Sequence, residues 1–472
     1  SYTGIKRVVN SLAHSGDGTP KSVHYLQWGT EGFNPDLPSG YDVRDFLRVE
    51  DTPLKRSLKL HELDKLIKPV DTEWVTHSNS NTVRKSGSVD IVAKPCHKWK
   101  VLQNAFKKAM KWSPGLDRAL AVSLASITST KAIGDQLWVK VIGPASCGKS
   151  TICEALSVAK KYVLAKSTIR GFHSGFQTDR AGREDNSLIS QLYDKTLVTK
   201  DGDTLLQSPN LGQILSEARD IYDRVSRTHY RNRMSRDYEG VSMTWILCGT
   251  SSLRSIDSSE LGERFLDCVI MEGIDDDMED EVLLRVANRT ARNMGIESGK
   301  GGNTQDDPAM IEAQQLTGGY IYYLRENAAS LLGSIQTDDE SLMRCGRLGK
   351  FVSYMRARPS TRQDETAERE FAARLTSQLV RLATCLAVVL NKSKLDEEVM
   401  SYTRLVALDT ARGRTLEMAR YLWESGREGL DVRTLALYTN DTESNIRTLL
   451  RFLSRIGAVE HFKKSIAKGV TS

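Results

Sequence analysis

The apolar run Gln136-Leu-Trp-Val-Lys-Val-Ile-Gly143 leads straight into Gly143-Pro-Ala-Ser-Cys-Gly-Lys-Ser150, and that junction decides the reading of the chain. The first stretch is rich in β-formers and ends in glycine. The second is a complete G-x-x-x-x-G-K-[ST], and a helix-compatible segment, Thr151 to Lys160, follows it. Strand, glycine loop and helix in that order make a phosphate cradle. The glycines let the backbone wrap close enough for N–H groups to meet phosphate oxygens, and the helix N-terminus adds its positive end. Nucleotide binding is therefore expected on Gly143, Ser146, Gly148, Lys149, Ser150 and Thr151. Lys149 is expected to reach the β and γ phosphates, and Ser150 to ligate Mg²⁺. Cys147 reads as a loop filler rather than a redox site.

Such a loop works with an acid on a neighbouring strand. Lys195 to Asp203, KTLVTKDGD, is an apolar strand ending in Asp201 and Asp203. One carboxylate is expected to hold the Mg²⁺ water shell, Asp201 by preference, and one to polarise the attacking water. The usual pair is adjacent, whereas Gly202 intervenes here, so a plain Asp-Gly turn is the competing reading. A further strand, Ser242 to Gly249, ends in Thr250 and Ser251, where a polar tip can orient water. SSELGERF then places Arg264 just before the apolar run Phe265 to Met271. An arginine there suits a finger reaching the γ-phosphate of a neighbouring subunit. Residues 136–271 read as an α/β domain with a mostly parallel sheet.

GPASCGKS, TLVTKDGD, WILCGT and LGERF, in this order, resemble the AAA+ ATPases, and among them the minichromosome maintenance group of replicative helicases. GERF is similar to that group's arginine-finger motif. Ala373 to Leu390 (ARLTSQLVRLATCLAVVL) resembles its lid helix, which implies a second phosphate-sensing role for Arg374. The resemblance covers about residues 130–395, with a winged-helix tail beyond it. It departs from the group in the Asp-Gly-Asp and in lacking a recognisable N-terminal domain of that kind. VHYLQWG and LPSGYDVRDFL in residues 1–50 instead resemble the closing strand and loop of the TOPRIM fold of phage and plasmid primases. Asp42 and Asp45 read equally well as loop caps. The implied parent is a phage- or plasmid-type primase–helicase, with any primase chemistry upstream of Ser1. The implied fold is a P-loop AAA+ α/β domain with a parallel sheet, a helical lid and a C-terminal winged helix. The expected domains are 1–50, a partial TOPRIM-like remnant; 51–96, a linker or arm; 97–271, the ATPase core; 272–410, the helical lid; and 411–472, the winged helix.

Contacts to nucleic acid are expected at three places. Arg224 to Arg236 carries Arg227, Arg231, Arg233 and Arg236 with His229 and Tyr230 interleaved and no acid. Arginines grip phosphate while an aromatic ring stacks a base. Its position before the Ser242 strand matches the pore hairpin of the resembled helicases, and an intersubunit ion-pair surface is the rival reading. Thr168 to Gln177, with His173, suits a second mobile pore loop, although His173 also reads as an ordinary surface histidine. In the tail, helices over 415–424 and 432–438, a third started by Asp441 and a strand over 459–463 have winged-helix order. Arg447, Arg451 and Arg455 recur every four residues on one face of that third helix. The acids of 275–281 read as favourable charges at a helix start.

Composition sets the outer limits. The 472 residues are 39 % hydrophobic and 27 % charged, as in ordinary globular chains. The most apolar stretch, Leu382 to Leu390, is far short of the roughly 20 residues that span a bilayer, so no membrane partner is expected. Seven cysteines without close pairing argue against a disulfide framework and for a reducing, cytoplasmic setting. A net charge of +6 is weak support for a polyanion partner. The combined expectation is an ATP- and Mg²⁺-dependent DNA helicase or translocase. It would act as a ring, expected to be a hexamer, on single-stranded and forked DNA, beside a primase domain or other replication proteins. An AAA+ initiator or loader that remodels DNA without unwinding is the first alternative. A non-catalytic, nucleotide-gated DNA scaffold is the second.

Overall fold

The computed structural model describes residues 24–26, 67–69, 91–174, 185–230, 235–258, 264–270, 308–356, 371–411 and 413–460. The chain divides between Val89 and Asp90 into two units. In the first, β1 (His24–Leu26) pairs antiparallel with β2 (Ile67–Pro69), with Tyr25 opposite Lys68. Asp42, Asp45 and the acids of 275–281 lie outside the described residues.

The second unit is built on five parallel strands. They are β3 (Trp138–Ile142), β4 (Val163–Lys166), β5 (Lys195–Thr199), β8 (Met243–Gly249) and β9 (Phe265–Val269), in the order β4-β5-β8-β3-β9. Between β5 and β8 in sequence, β6 (Val225–His229) and β7 (Ser235–Glu239) form a separate antiparallel hairpin. Every residue of β3, β8 and β9 is buried, which is why these strands read as continuous apolar runs rather than alternating ones.

Alternation along each strand then sorts side chains into two cores. Val139, Val141, Ile246, Cys248 and Leu266 join the helices of one face. Trp138, Trp245 and Phe265 face the other way, with ring centroids 5.3 to 5.5 Å apart. On that aromatic face sits a charge the strand pattern hides. Lys140, fully buried on β3, meets Asp267 directly across the β9 ladder at 3.1 Å. Neither ion tolerates burial alone, so each accounts for the other.

The first face carries α1 (Trp99–Ala109), α2 (Pro114–Ser129) and α3 (Lys149–Leu156). Ser113 caps α2 by accepting from Leu116 N at 3.2 Å, and proline occupies the first turn. The other face takes the short α4 (Gly202–Leu206) and α5 (Leu211–Tyr222).

After residue 308 the chain is helical: α6 (Pro308–Glu326), α7 (Ala328–Gly333), α8 (Asp339–Arg356), α9 (Ala373–Val389) and α10 (Glu397–Thr410). The apolar stretch Leu382–Leu390 is buried at the end of α9. The tail gives α11 (Arg414–Glu424), α12 (Val432–Thr439) and α13 (Glu443–Arg455). A left-handed Asn440, φ 50°, turns α12 into α13, and Thr442 rather than Asp441 caps the last helix. Val459 and Glu460 are not in a strand, and the rest of the expected 459–463 strand lies outside the described residues. Among the described residues no helix is long and apolar enough to cross a membrane.

Candidate nucleotide site and candidate nucleic-acid contacts

The glycine loop leaves the carboxyl end of β3, between β8 and β9. Gly143 N donates to Gly249 O at 3.1 Å, which pins the loop to the tip of β8. A Cβ on Gly143 would fall 2.7 Å from Cys147 Sγ. Gly148 is the N-cap of α3 at φ 96°, and a Cβ there would meet Leu116 at 2.9 Å. A side chain at either position would displace a neighbour, and the left-handed backbone of the second favours glycine outright. Glycine supplies no side-chain acceptor, so the first-turn N–H groups of α3 have no side-chain cap. The Lys149 ammonium folds over its own loop and donates to Gly143 O at 2.7 Å and Pro144 O at 2.5 Å. Ser150 is exposed and Thr151 half-buried.

The two aspartates have different partners. Asp201 caps α4, accepts from Thr204 Oγ1 at 2.6 Å, and remains exposed. Asp203 accepts from both Thr250 N (2.9 Å) and Thr250 Oγ1 (3.0 Å) at the tip of β8. Because β8 is inserted between β3 and β5, Thr250 stands between the glycine loop and the acids. Gly202 is buried under Leu247 and Leu253, each 2.8 Å from where its Cβ would be, so no acid fits at that position. Among the described residues no group of three or more His, Cys, Asp or Glu could hold a metal ion. A cation here would rest on the nucleotide's own phosphates with Ser150 and Asp201.

A cavity of about 410 Å³ opens beside the start of α2, lined in part by Lys107, Trp112, Pro114, Arg118 and Tyr402. Asp117 at its wall is satisfied by Gln103, Trp112 Nε1 (2.8 Å) and Tyr402 OH (2.7 Å). The first turn of α2 thus borders both this cavity and, through Leu116, the turn at Gly148. Nothing in the sequence pattern marked these residues, because the network spans 285 positions from Asp117 to Tyr402.

Arg264 and Arg374 lie elsewhere. Arg264 directly precedes Phe265, which pairs with Trp138 at the amino end of β3. At ~3.3 Å per residue, the strand length separates Arg264 from the glycine loop by about 15 Å. Its guanidinium is 3.0 Å from Asp223, over the Tyr222 ring, and only 8 % exposed. Gln378 of α9 donates to Arg264 O (2.9 Å) and to Tyr222 OH (3.1 Å). Arg374, one turn earlier on α9, is exposed, and its charge is felt at Tyr222. Burial, above all, pushes the Tyr222 hydroxyl up to about 12. The two arginines therefore gather at the amino edge of the sheet, away from the glycine loop of the same chain. Asp223 and Gln378 were missed because they lie 41 and 114 positions from Arg264.

The β6–β7 hairpin has an inner and an outer face. Inward, Tyr238 OH donates to Asp185 at 2.7 Å, and Arg236, 13 % exposed, lies 3.8 Å from the same carboxylate. Outward, Arg227 reaches Glu239 at 2.8 Å and stands opposite Asp237 in the ladder. His173 holds the hairpin root, 2.8 Å from Ser226 Oγ with its ring against Tyr238. Burial lowers its pKa, against the opposing pull of Glu217, Asp185 and Asp220. Tyr230 is half-buried, whereas Arg231 and Arg233 lie outside the described residues. On α13, Arg447 and Arg451 are exposed, and Arg447 pairs with Glu443 at 2.7 Å. No family model and no curated protein matches the chain.

Proposed function

We propose that the chain is an AAA+ ATPase that translocates on DNA as a ring of copies, with a hexamer the expected size. The observation that carries this reading is the division of the charged residues between opposite edges of one parallel sheet. The carboxyl edge holds the glycine loop with Lys149, Asp201, Asp203 and Thr250. The amino edge holds Arg264 and Arg374. No single chain can bring both sets to one phosphate, but adjoining copies can. In a head-to-tail ring each nucleotide would lie between the glycine loop of one copy and the arginines of the next.

In that arrangement Gly143, Ser146, Gly148 and Thr151 wrap the phosphates, and Lys149 turns from its loop carbonyls to the β and γ oxygens. Bound with Ser150 and Asp201, Mg²⁺ would neutralise phosphate charge. Asp203 fixes Thr250 to orient water, and the neighbour's Arg264 and Arg374 stabilise charge on the transferred group. The cavity at Trp112 adjoins the loop and suits the base. The helices over 308–410 would form the lid, and α11 to α13 a winged helix. Release of Arg264 from Asp223 on nucleotide binding would free the chain segment from which the β6–β7 hairpin springs, since Arg224 follows Asp223 directly.

One observation favours a second reading, a loader or initiator that remodels DNA without unwinding. Of the hairpin arginines, Arg227 and Arg236 lie beside carboxylates, which weakens the grip expected of a strand-pulling hairpin. Unwinding of a forked duplex with ATP separates the two. Strand separation lost in Lys149→Ala supports the translocase. DNA-stimulated hydrolysis without separation supports the loader, and no hydrolysis at all overturns both.

A further inference from the structure

We infer that α1 and the segment leading into it form a second nucleic-acid surface, one that holds the backbone of duplex DNA. This goes beyond the proposed motor, because it needs neither nucleotide nor a ring. From Ile91 to Leu116 the chain has six lysines, at 94, 98, 100, 107, 108 and 111, and no acid. Removing these six from the 66 basic residues of the whole chain leaves 60, equal to its 60 acids. This one short segment thus carries six uncompensated positive charges, as many as the net charge of the whole chain.

The structure puts that charge on the outside. α1 buries Trp99, Leu102, Ala105 and Phe106 and exposes Lys100, Val101, Asn104, Lys107 and Lys108. At 100° per residue these five fall within roughly a third of the helix circumference. Lys94 and Lys98, just before the helix, are exposed as well. None of Lys94, Lys98, Lys100, Lys107 and Lys108 pairs with a carboxylate among the described residues, whereas Arg227 and Arg236 of the hairpin do.

Helix stability does not account for the row. Cations in the last turn favour a helix, which suits Lys107 and Lys108, but at the first turn they oppose its dipole. Lys98 is the N-cap and Lys100 lies in the first turn, with no acid there to offset them. Membrane adsorption is disfavoured because the apolar face is already buried in the protein. A single-stranded partner would call for exposed rings to stack bases. Here Trp99 and Phe106 are buried, and Trp112 is stacked on Phe106 with centroids 4.3 Å apart. A row of point charges without stacking rings suits the denser phosphate array of a duplex.

The test is titration of a fluorescent random-sequence duplex with the full chain, without nucleotide, across a salt series. Wild type is compared with Lys98→Gln/Lys100→Gln/Lys108→Gln. Each lost phosphate contact should flatten the slope of log affinity against log salt by about 0.9, so the triple variant should be flatter by roughly 2 to 3. Affinity at low salt should fall at least about tenfold, with DNA-free ATP hydrolysis unchanged. An unchanged duplex slope would overturn the inference. So would an equal or larger loss on single-stranded DNA, or a loss confined to phosphatidylserine vesicles or polyglutamate.

Discussion

The two edges of the parallel sheet use the same backbone electrostatics with opposite sign. At the carboxyl edge, the first turn of α3 has no side-chain cap, and Lys149 rests on its own loop, on the Gly143 and Pro144 carbonyls and the Cys147 sulfur. At the amino edge, α2 ends in carbonyls that arginines from three elements already occupy. Arg325 of α6 donates to Ile127 O at 3.1 Å and to Asp194 O at 2.6 Å. Arg381 of α9 bonds Ala132 O and Ile133 O, and Arg224 at the hairpin root donates to Gly134 O at 2.7 Å. Under the proposed function, the first edge would be completed by the nucleotide's phosphates. The other is completed within the chain and ties the hairpin, α6 and α9 to one turn. The uncapped helix start and the tied turn are thereby separated by the length of a strand.

If that division is right, substitutions at the two edges should fail in different ways. The largest effect is expected at Lys149. Lys149→Ala should lower ATP turnover by at least about 10²–10³-fold while leaving the denaturation midpoint unchanged, because its native bonds are confined to the loop. Arg381→Ala should do the reverse. Loss of charge-assisted bonds to the end of α2 should cost about 2 kcal/mol of stability, read as a shifted urea midpoint, with turnover per folded chain nearly preserved. Thr250→Val is intermediate. It removes the hydroxyl that Asp203 fixes, and turnover should fall by roughly tenfold to a hundredfold with nucleotide affinity, followed by a fluorescent analogue, little changed.

The smallest effect concerns Asp409, which anchors the end of β9 by accepting from Val269 N (2.8 Å) and Arg118 (3.2 Å). Burial lifts its carboxyl to about 6, above the ~3.9 of an unfolded aspartate. Between those values the folded chain holds a proton that the unfolded chain has lost. This group therefore adds stability as pH falls from 7 toward 4. Urea midpoints at pH 5 and 7 should show that contribution in wild type and its absence in Asp409→Asn.

Local signals made the strands and helices legible. β3, β8 and β9 are short, apolar and β-branched or aromatic, and the glycine loop announces the turn into α3. The parallel order of the strands and the buried helices around them agree with the α/β reading. What sequence could not convey is pairing across crossovers. Nothing local marks Lys140 as buried and paired, because its partner, Asp267, comes 127 positions later on an adjoining strand. The differing environments of Asp201 and Asp203 depend on Thr250, supplied by a strand inserted between β3 and β5. The gathering of Arg264 and Arg374 depends on Tyr222 and Gln378, which no spacing rule connects. Asp237 and Glu239, just past the arginine run, already allowed an ion-pair surface, but Asp185, which meets Arg236 and Tyr238, lies about 50 positions away and comes to the hairpin only when folded.

The central claim, that one ATP site is shared by two copies, is tested most directly by mixing inactive chains. Lys149→Ala lacks the carboxyl-edge half and Arg264→Gln the amino-edge half, so each alone should hydrolyse ATP poorly. In an equal mixture assembled at random, about a quarter of interfaces would join two intact halves, and turnover should recover toward that fraction of wild type. A mixture that forms mixed assemblies by co-purification yet stays as inactive as its parents would contradict the account, as would full turnover by Arg264→Gln alone.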